Sequence, residues 1–115
     1  MHFLQKEYSE ALKYYNTCLK LAETFNDKSI QIAVIGNIGL LYESQKEFSM
    51  AIVNYTNAFK LAEKVGDQNG KFIQMVHFGG VYFNQKQYDK ALASYLKAIQ
   101  IAQLVGNKKE LHPVI

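Results

Sequence analysis

The sequence predicts an all-α protein, a right-handed solenoid of antiparallel helix pairs, and three observations lead to that fold class. Short landmarks recur at a spacing of 40 residues. The apolar residues between the landmarks follow a helical period, and polar breaks fall at the same place in each copy. Helix pairs that repeat in tandem and are joined by tight turns stack into a superhelix in which each repeat contacts its neighbours.

The landmarks define the repeat. QKEY at 5–8 returns as QKEF at 45–48 and QKQY at 85–88, and KLAE at 20–23 returns at 60–63. Four single residues also return forty positions later, where Gly39, Tyr42, Ala51 and Tyr55 become Gly79, Tyr82, Ala91 and Tyr95. Agreement at this many positions indicates an internal repeat.

The apolar period within each copy sets the helices. It predicts helices over residues 8–25, 28–44, 48–65, 68–84 and 88–105, with a further helix beginning near 108. The polar triplets QKE and QKQ separate the two helices of a pair. Left-handed residues are expected after the second helices, at Asn26, Gly66 and Gly106. The residues that follow them, Asp27, Asp67 and Asn107, are expected N-caps, and Asn107 has capping-box spacing to Glu110.

These helices predict how the chain is organised. We expect one repeat segment, with a partial repeat over 1–27, repeats over 28–67 and 68–107, and the start of a further repeat over 108–115. Stacked repeats need capped ends. The segment is therefore expected to be an excerpt of a longer array, or else to complete itself by self-association through its uncapped terminal helices.

Composition limits the classes of partner. The chain has 115 residues, 49% of them hydrophobic, which suits one globular domain. Its net charge is +3, but all 13 basic residues are Lys, so the Arg fork that grips phosphate bidentately is missing and no nucleic acid is expected. No apolar run approaches a membrane span, and residues 1–15 contain no signal-peptide core and no cleavage motif. Because the chain has a single Cys, we expect a reducing, cytoplasmic location.

The sequence contains no recognisable catalytic motif. Its three His residues stand apart from one another and from Cys or carboxylates at metal-ligand spacing. The nearest glycine cluster, Gly36 to Gly39, falls inside a predicted helix rather than between a strand and a helix, so it does not suit a phosphate loop. Glu43 and Glu47 are interpreted as solvated residues at helix ends. We expect no enzyme activity, no metal and no cofactor.

A known family shares these patterns. I-x₂-I-G-x₂-Y at 35–42 and F-x₂-A-x₃-Y-x₂-A at 48–58, with their copies at 75–82 and 88–98, resemble the tetratricopeptide repeat. The usual repeat has about 34 residues, whereas this one has 40. It is similar to the longer variant found in Pins-like spindle-orientation adaptors and in many bacterial signalling proteins. The resemblance implies a superhelix whose first helices line a concave groove.

The resemblance also implies where a partner would bind. On the first helices, the groove face is expected to carry Asn37, Leu40, Ser44, Ile73, Val76, His77, Gly80, Phe83 and Asn84. Asn37 is the first choice, because grooves of this family commonly use Asn there to hold a ligand backbone. Asn37 could instead be a solvated or capping residue, His77 a tolerated polar residue, and Phe83 a packing residue. Ile73 and His77 stand where a carboxylate clamp would need basic residues, which argues against that kind of site.

The adjacent glycines of the third copy are expected to differ. Gly79 repeats Gly39 and should lie at the crowded contact between paired helices, where a side chain would separate them. Gly80 does not repeat, since Leu40 is its counterpart, and it should face the groove.

The function implied by the resemblance is a scaffold or adaptor module that binds a peptide or protein segment in its concave groove. One alternative is a regulatory or sensor segment of a larger signalling protein, such as a kinase, cyclase or peptide-responsive regulator, with its output part outside this chain. A weaker alternative is a self-assembling repeat segment. The sequence does not identify the partner.

Overall fold

A computed structural model of the chain describes residues 2–111, with side chains described for residues 5–106. Five α-helices follow one another: α1 His2–Thr24, α2 Lys28–Ser44, α3 Phe48–Val65, α4 Gln68–Asn84 and α5 Tyr88–Leu111. The described residues contain no strand. The molecule is elongated, with extents of 58 × 39 × 21 Å. The predicted all-α helical-repeat solenoid is confirmed.

The helices pack in chain order. Each helix contacts the next one, and α2 also packs against α4, which follows it by two elements. The first helices of the two complete pairs, α2 and α4, are therefore neighbours and form one layer. This arrangement creates a surface to which both first helices contribute.

The bounds of α2, α3 and α4 agree with those predicted, because their ends are fixed by local residues. Asp27 accepts a hydrogen bond from the Ile30 amide at 3.0 Å, and Asp67 accepts one from the Gly70 amide at 2.8 Å. Asn26 and Gly66 have φ values of 55° and 74°, in the left-handed region expected after a helix.

The first helix differs from the prediction of 8–25. It is continuous from His2 to Thr24 and passes straight through the triplet QKE at 5–7. In the second repeat this triplet turns because it folds back on the end of α2, where the Tyr42 carbonyl accepts from the Glu47 amide at 3.0 Å. In α1 the same three residues stay helical instead. Gln, Lys and Glu are good helix formers, and they continue the helix.

The last helix also differs from the prediction of 88–105 followed by a second helix near 108. It runs from Tyr88 to Leu111 without a break. Gly106 is helical rather than left-handed, and Asn107 lies within α5 rather than at an N-cap. The turn after α3 is held because α4 packs back on α3. The repeat boundaries themselves stay a prediction.

The turns within each pair contain a feature that the sequence did not indicate. Lys46 and Lys86, the middle residues of QKE and QKQ, have φ values of 61° and 63°. A left-handed conformation is uncommon for a residue with a Cβ. It persists because it lets the Lys46 amide donate to the Glu43 carbonyl at 2.8 Å and the Lys86 amide to the Phe83 carbonyl at 2.9 Å.

Small residues bring paired helices close together, as expected. Ala51 and Ala58 are fully buried, and a Cβ on Gly39 would lie 2.5 Å from Cε1 of Tyr55. A Cβ on Gly79 would meet the Tyr95 ring in the same way, whereas no atom lies within 4 Å of the corresponding point on Gly80. The crowded position predicted for Gly79 is confirmed, whereas the groove position expected for Gly80 stays a prediction.

Candidate protein-binding groove

A cleft of about 250 Å³ opens between α2 and α4. Asn37 of α2 lies on one side of it, Ile73 and His77 of α4 lie on the other, and Gln74 lies at its floor. Amide, imidazole and aliphatic groups therefore meet in one depression. Such a surface can both bury apolar groups and exchange hydrogen bonds. We call this depression the α2/α4 cleft.

A second cleft of about 230 Å³ lies between α1 and α2. Leu40 and Ser44 border it together with Tyr15 of α1. Asn37 borders this cleft as well as the α2/α4 cleft, so it is the residue that joins them. Its exposed side chain is available to a molecule in either one.

The remaining four candidates line neither of these clefts. Val76 is exposed, and Gly80 faces open space. The exposed Phe83 contacts Tyr88 edge to face, with ring centroids 5.4 Å apart. Asn84 uses its amide within the protein, as described next. The role of all nine candidates in binding stays a prediction.

Glu43 is the centre of a polar cluster that joins three helices. Its Oε1 accepts from the Tyr55 hydroxyl of α3 at 2.7 Å, and its Oε2 accepts from Nδ2 of Asn84 of α4 at 2.5 Å. The interpretation of Glu43 as a solvated helix-end residue is wrong, because both carboxylate oxygens are bound. A signal was present in the repeat: Phe3 and Phe83 stand at the corresponding positions, so an acid at position 43 is exceptional.

His77 lies beside this cluster. Its ring and the Tyr55 ring have centroids 5.0 Å apart, tilted by 30°. Burial lowers the pKa of the His77 imidazole, and the nearby Glu43 carboxylate opposes that effect. Burial, followed by the hydrogen bond to Glu43, raises the pKa of Tyr55. A neutral imidazole can donate one hydrogen bond and accept another at the wall of the cleft.

Comparison with known proteins identifies the repeat. A family profile described as tetratricopeptide repeat matches residues 1–25, 32–65 and 75–103, which is more than half of the chain. The chain belongs to the tetratricopeptide repeat family. Tetratricopeptide repeats generally act as protein–protein interaction modules and as scaffolds. No curated protein matched the sequence.

The described part of this tetratricopeptide segment offers neither a metal site nor a membrane-spanning helix. No group of three His, Cys, Asp or Glu side chains within residues 5–106 is arranged to hold a metal ion. None of the helices α1 to α5 is both long enough and apolar enough to cross a membrane. The similarity to the 40-residue variant of the repeat stays a prediction.

Proposed function

We propose that this segment is a scaffold or adaptor module that binds an extended segment of a partner protein along α2 and α4. The observation that carries the proposal is the α2/α4 cleft, in which Asn37 and His77 face a common depression. A carboxamide can donate to and accept from a peptide backbone at the same time. Ile73 supplies apolar area beside these polar groups.

The charge of the cleft indicates the kind of segment that fits it. Asp67 is among its lining residues, the Glu43 carboxylate lies close enough to His77 to affect its pKa, and no Lys lines the cleft. A bound carboxylate or phosphate would find no cationic partner there. The cleft therefore favours a neutral or basic segment over an acidic one.

The test uses peptides selected from a random twelve-residue library displayed on phage. We expect selected peptides to bind the wild-type protein and to lose about 3- to 10-fold in affinity with Asn37→Ala or His77→Ala, the effect of losing one hydrogen bond. Asn57→Ala is the matched control, because Asn57 is exposed on α3 and away from the cleft. Unchanged affinity in both groove variants would contradict the assignment.

A second candidate function is self-association, because both terminal helices expose apolar side chains. Tyr14 and Leu21 of α1 are more than half exposed, as is Phe25 directly after it. The same holds for Tyr88, Leu92 and Leu104 of α5. The α5 residues Tyr88 and Leu92 correspond to Phe48 and Ile52, which pack on α4 in the preceding repeat. A second copy of the chain would cover both faces. Light scattering over a concentration series tests this, and a monomer at every concentration rejects it.

A further inference from the structure

Gln74 is a buried amide without a full set of partners. Its side chain is 1% exposed, yet its Oε1 accepts no hydrogen bond from any described residue. Among residues 5–106 the other deeply buried amide, Gln31, is different, because its Nε2 donates to the Ala22 carbonyl at 3.4 Å. Gln74 also lies at the floor of the α2/α4 cleft, whereas Gln31 does not line it.

The repeat shows that an amide is not needed at this position to build the fold. Forty residues earlier the counterpart of Gln74 is Val34, which is buried in the same way. Leaving a buried amide oxygen unpaired carries an uncompensated cost of desolvation. A Val at position 74 would avoid that cost, so the amide is a departure from the repeat that lowers the stability of the free protein.

A second departure from the repeat makes room for the first. Gly36 stands where the third repeat has Val76. A Cβ on Gly36 would lie 2.8 Å from Nε2 and 3.1 Å from Oε1 of Gln74, so the amide rests directly on the backbone of α2. The two residues that differ from their counterparts thus contact each other where α2 and α4 pack together.

We propose that Gln74 is a ligand-binding residue whose Oε1 accepts a hydrogen bond from a backbone N–H of an extended protein segment in the α2/α4 cleft. The terminal torsion of Gln is soft, so the oxygen turns toward the cleft while the amide stays against Gly36. Binding then satisfies an acceptor that the free protein leaves unpaired. This inference rests on the proposed function, and it adds a floor contact to the wall contacts of Asn37 and His77.

The first test compares Gln74→Val and Gln74→Met with the wild-type protein, using the same library-selected peptides. Val is the residue that the preceding repeat uses, and Met keeps the length of Gln without its amide. We expect both variants to bind peptide about 3- to 10-fold more weakly, as one lost hydrogen bond predicts. We also expect both to unfold about 4 °C higher, because the unpaired oxygen is gone.

Gln31→Met is the matched control. It replaces a buried amide that has a partner within the protein and lies outside the cleft. We expect it to lower the unfolding temperature and to leave peptide affinity unchanged. If the removal of any buried amide weakened binding, Gln31→Met would lose peptide affinity as the Gln74 variants do.

The second test identifies the atom that Gln74 binds. Each backbone N–H of a selected peptide is replaced in turn by N-methyl. We expect one position at which methylation weakens binding to the wild-type protein but not to Gln74→Met. Equal losses in the two proteins at every position, or unchanged affinity in both Gln74 variants, overturn the inference while the groove assignment through Asn37 and His77 stands. Failure to select any binding peptide overturns both proposals.

Discussion

The Tyr55 hydroxyl donates to Oε1 of Glu43 at 2.7 Å, and the ring that carries it is completely buried against Gly39. One side chain thus fills the space between α2 and α3 and also holds the carboxylate that Asn84 of α4 binds. Packing within one repeat and the position of the next repeat depend on the same tyrosine.

Removing this hydroxyl should destabilise the protein. Because hydrogen bonds to charged groups are stronger than neutral ones, Tyr55→Phe is expected to lower the free energy of unfolding by about 1–2 kcal/mol in urea titrations. Tyr95→Phe is the matched control: it is the same change forty residues later, where Phe83 replaces Glu43 and Tyr95 makes no hydrogen bond among the described residues. We expect it to change stability by less than about 0.5 kcal/mol. Equal effects would mean that the bond to Glu43 adds nothing.

Alanine substitution of two glycines should change stability in opposite directions. Gly39→Ala places a Cβ 2.5 Å from the buried Tyr55 ring and is expected to cost about 1–3 kcal/mol. Gly80→Ala meets no atom within 4 Å, and because Ala favours the helix it should gain about 0.5–1 kcal/mol. Thermal unfolding of the two variants measures both. A loss of stability in Gly80→Ala would contradict the open surroundings of that residue.

The left-handed lysines predict a stabilising substitution. Lys46→Gly removes the strain of a Cβ at φ 61°. It also makes the unfolded chain more flexible, so the net gain is expected to be about 0.5 kcal/mol. The same change at Lys60, an exposed residue inside α3, should instead cost about 0.7 kcal/mol. Urea titration of the two variants tests for the difference in sign.

His77 predicts a dependence of stability on pH. Since burial lowers its pKa, the folded protein takes up the proton less readily than the unfolded chain. The contribution of His77 to the free energy of unfolding is therefore lost as pH falls below its ordinary pKa of about 6.5. His77→Asn introduces the residue that the preceding repeat has at the corresponding position, Asn37, and removes this titration. We expect the stability of the wild-type protein relative to His77→Asn to decrease between about pH 7.5 and pH 5. A constant difference would contradict the prediction.

Local signals account for the part of the fold that the sequence predicts. The bounds of α2, α3 and α4 follow from Asp27, Asp67 and Gly66, each of which acts on backbone groups within a few residues. The ends that differ, at QKE in α1 and at Gly106 in α5, are places where the turn depends on a neighbouring helix. In both places the helix continues through the expected turn.

The contacts of the candidate site were harder to predict from the sequence, because they too depend on neighbouring helices. Repeat periodicity places Asn37 and His77 on related faces, and both line the α2/α4 cleft. The bonds of Glu43 come from α3 and α4, so no helical period within α2 reveals them. Gln74 looks like one polar residue in an apolar stripe until it is compared with Val34. Both Glu43 and Gln74 stand out once each is compared with the residue forty positions away in the repeat.

The bond between Glu43 and Asn84 also has a mechanical consequence. It joins α2 and α4 at their carboxyl ends, while the cleft lies between the more amino-terminal parts of the same helices. This hydrogen bond thus holds the two helices together at their carboxyl ends. In a solenoid, a small rotation at each junction accumulates into the pitch of the superhelix. Ser44 and Phe3 stand where an equivalent bond between the first and second repeats would need Asn and Glu. At that junction the Gln5 side-chain amide instead donates to Oε1 of Gln45 at 3.1 Å, and the Tyr8 hydroxyl donates to Oε2 of Glu47 at 3.2 Å. The two junctions of the superhelix are therefore held at different points along their helices.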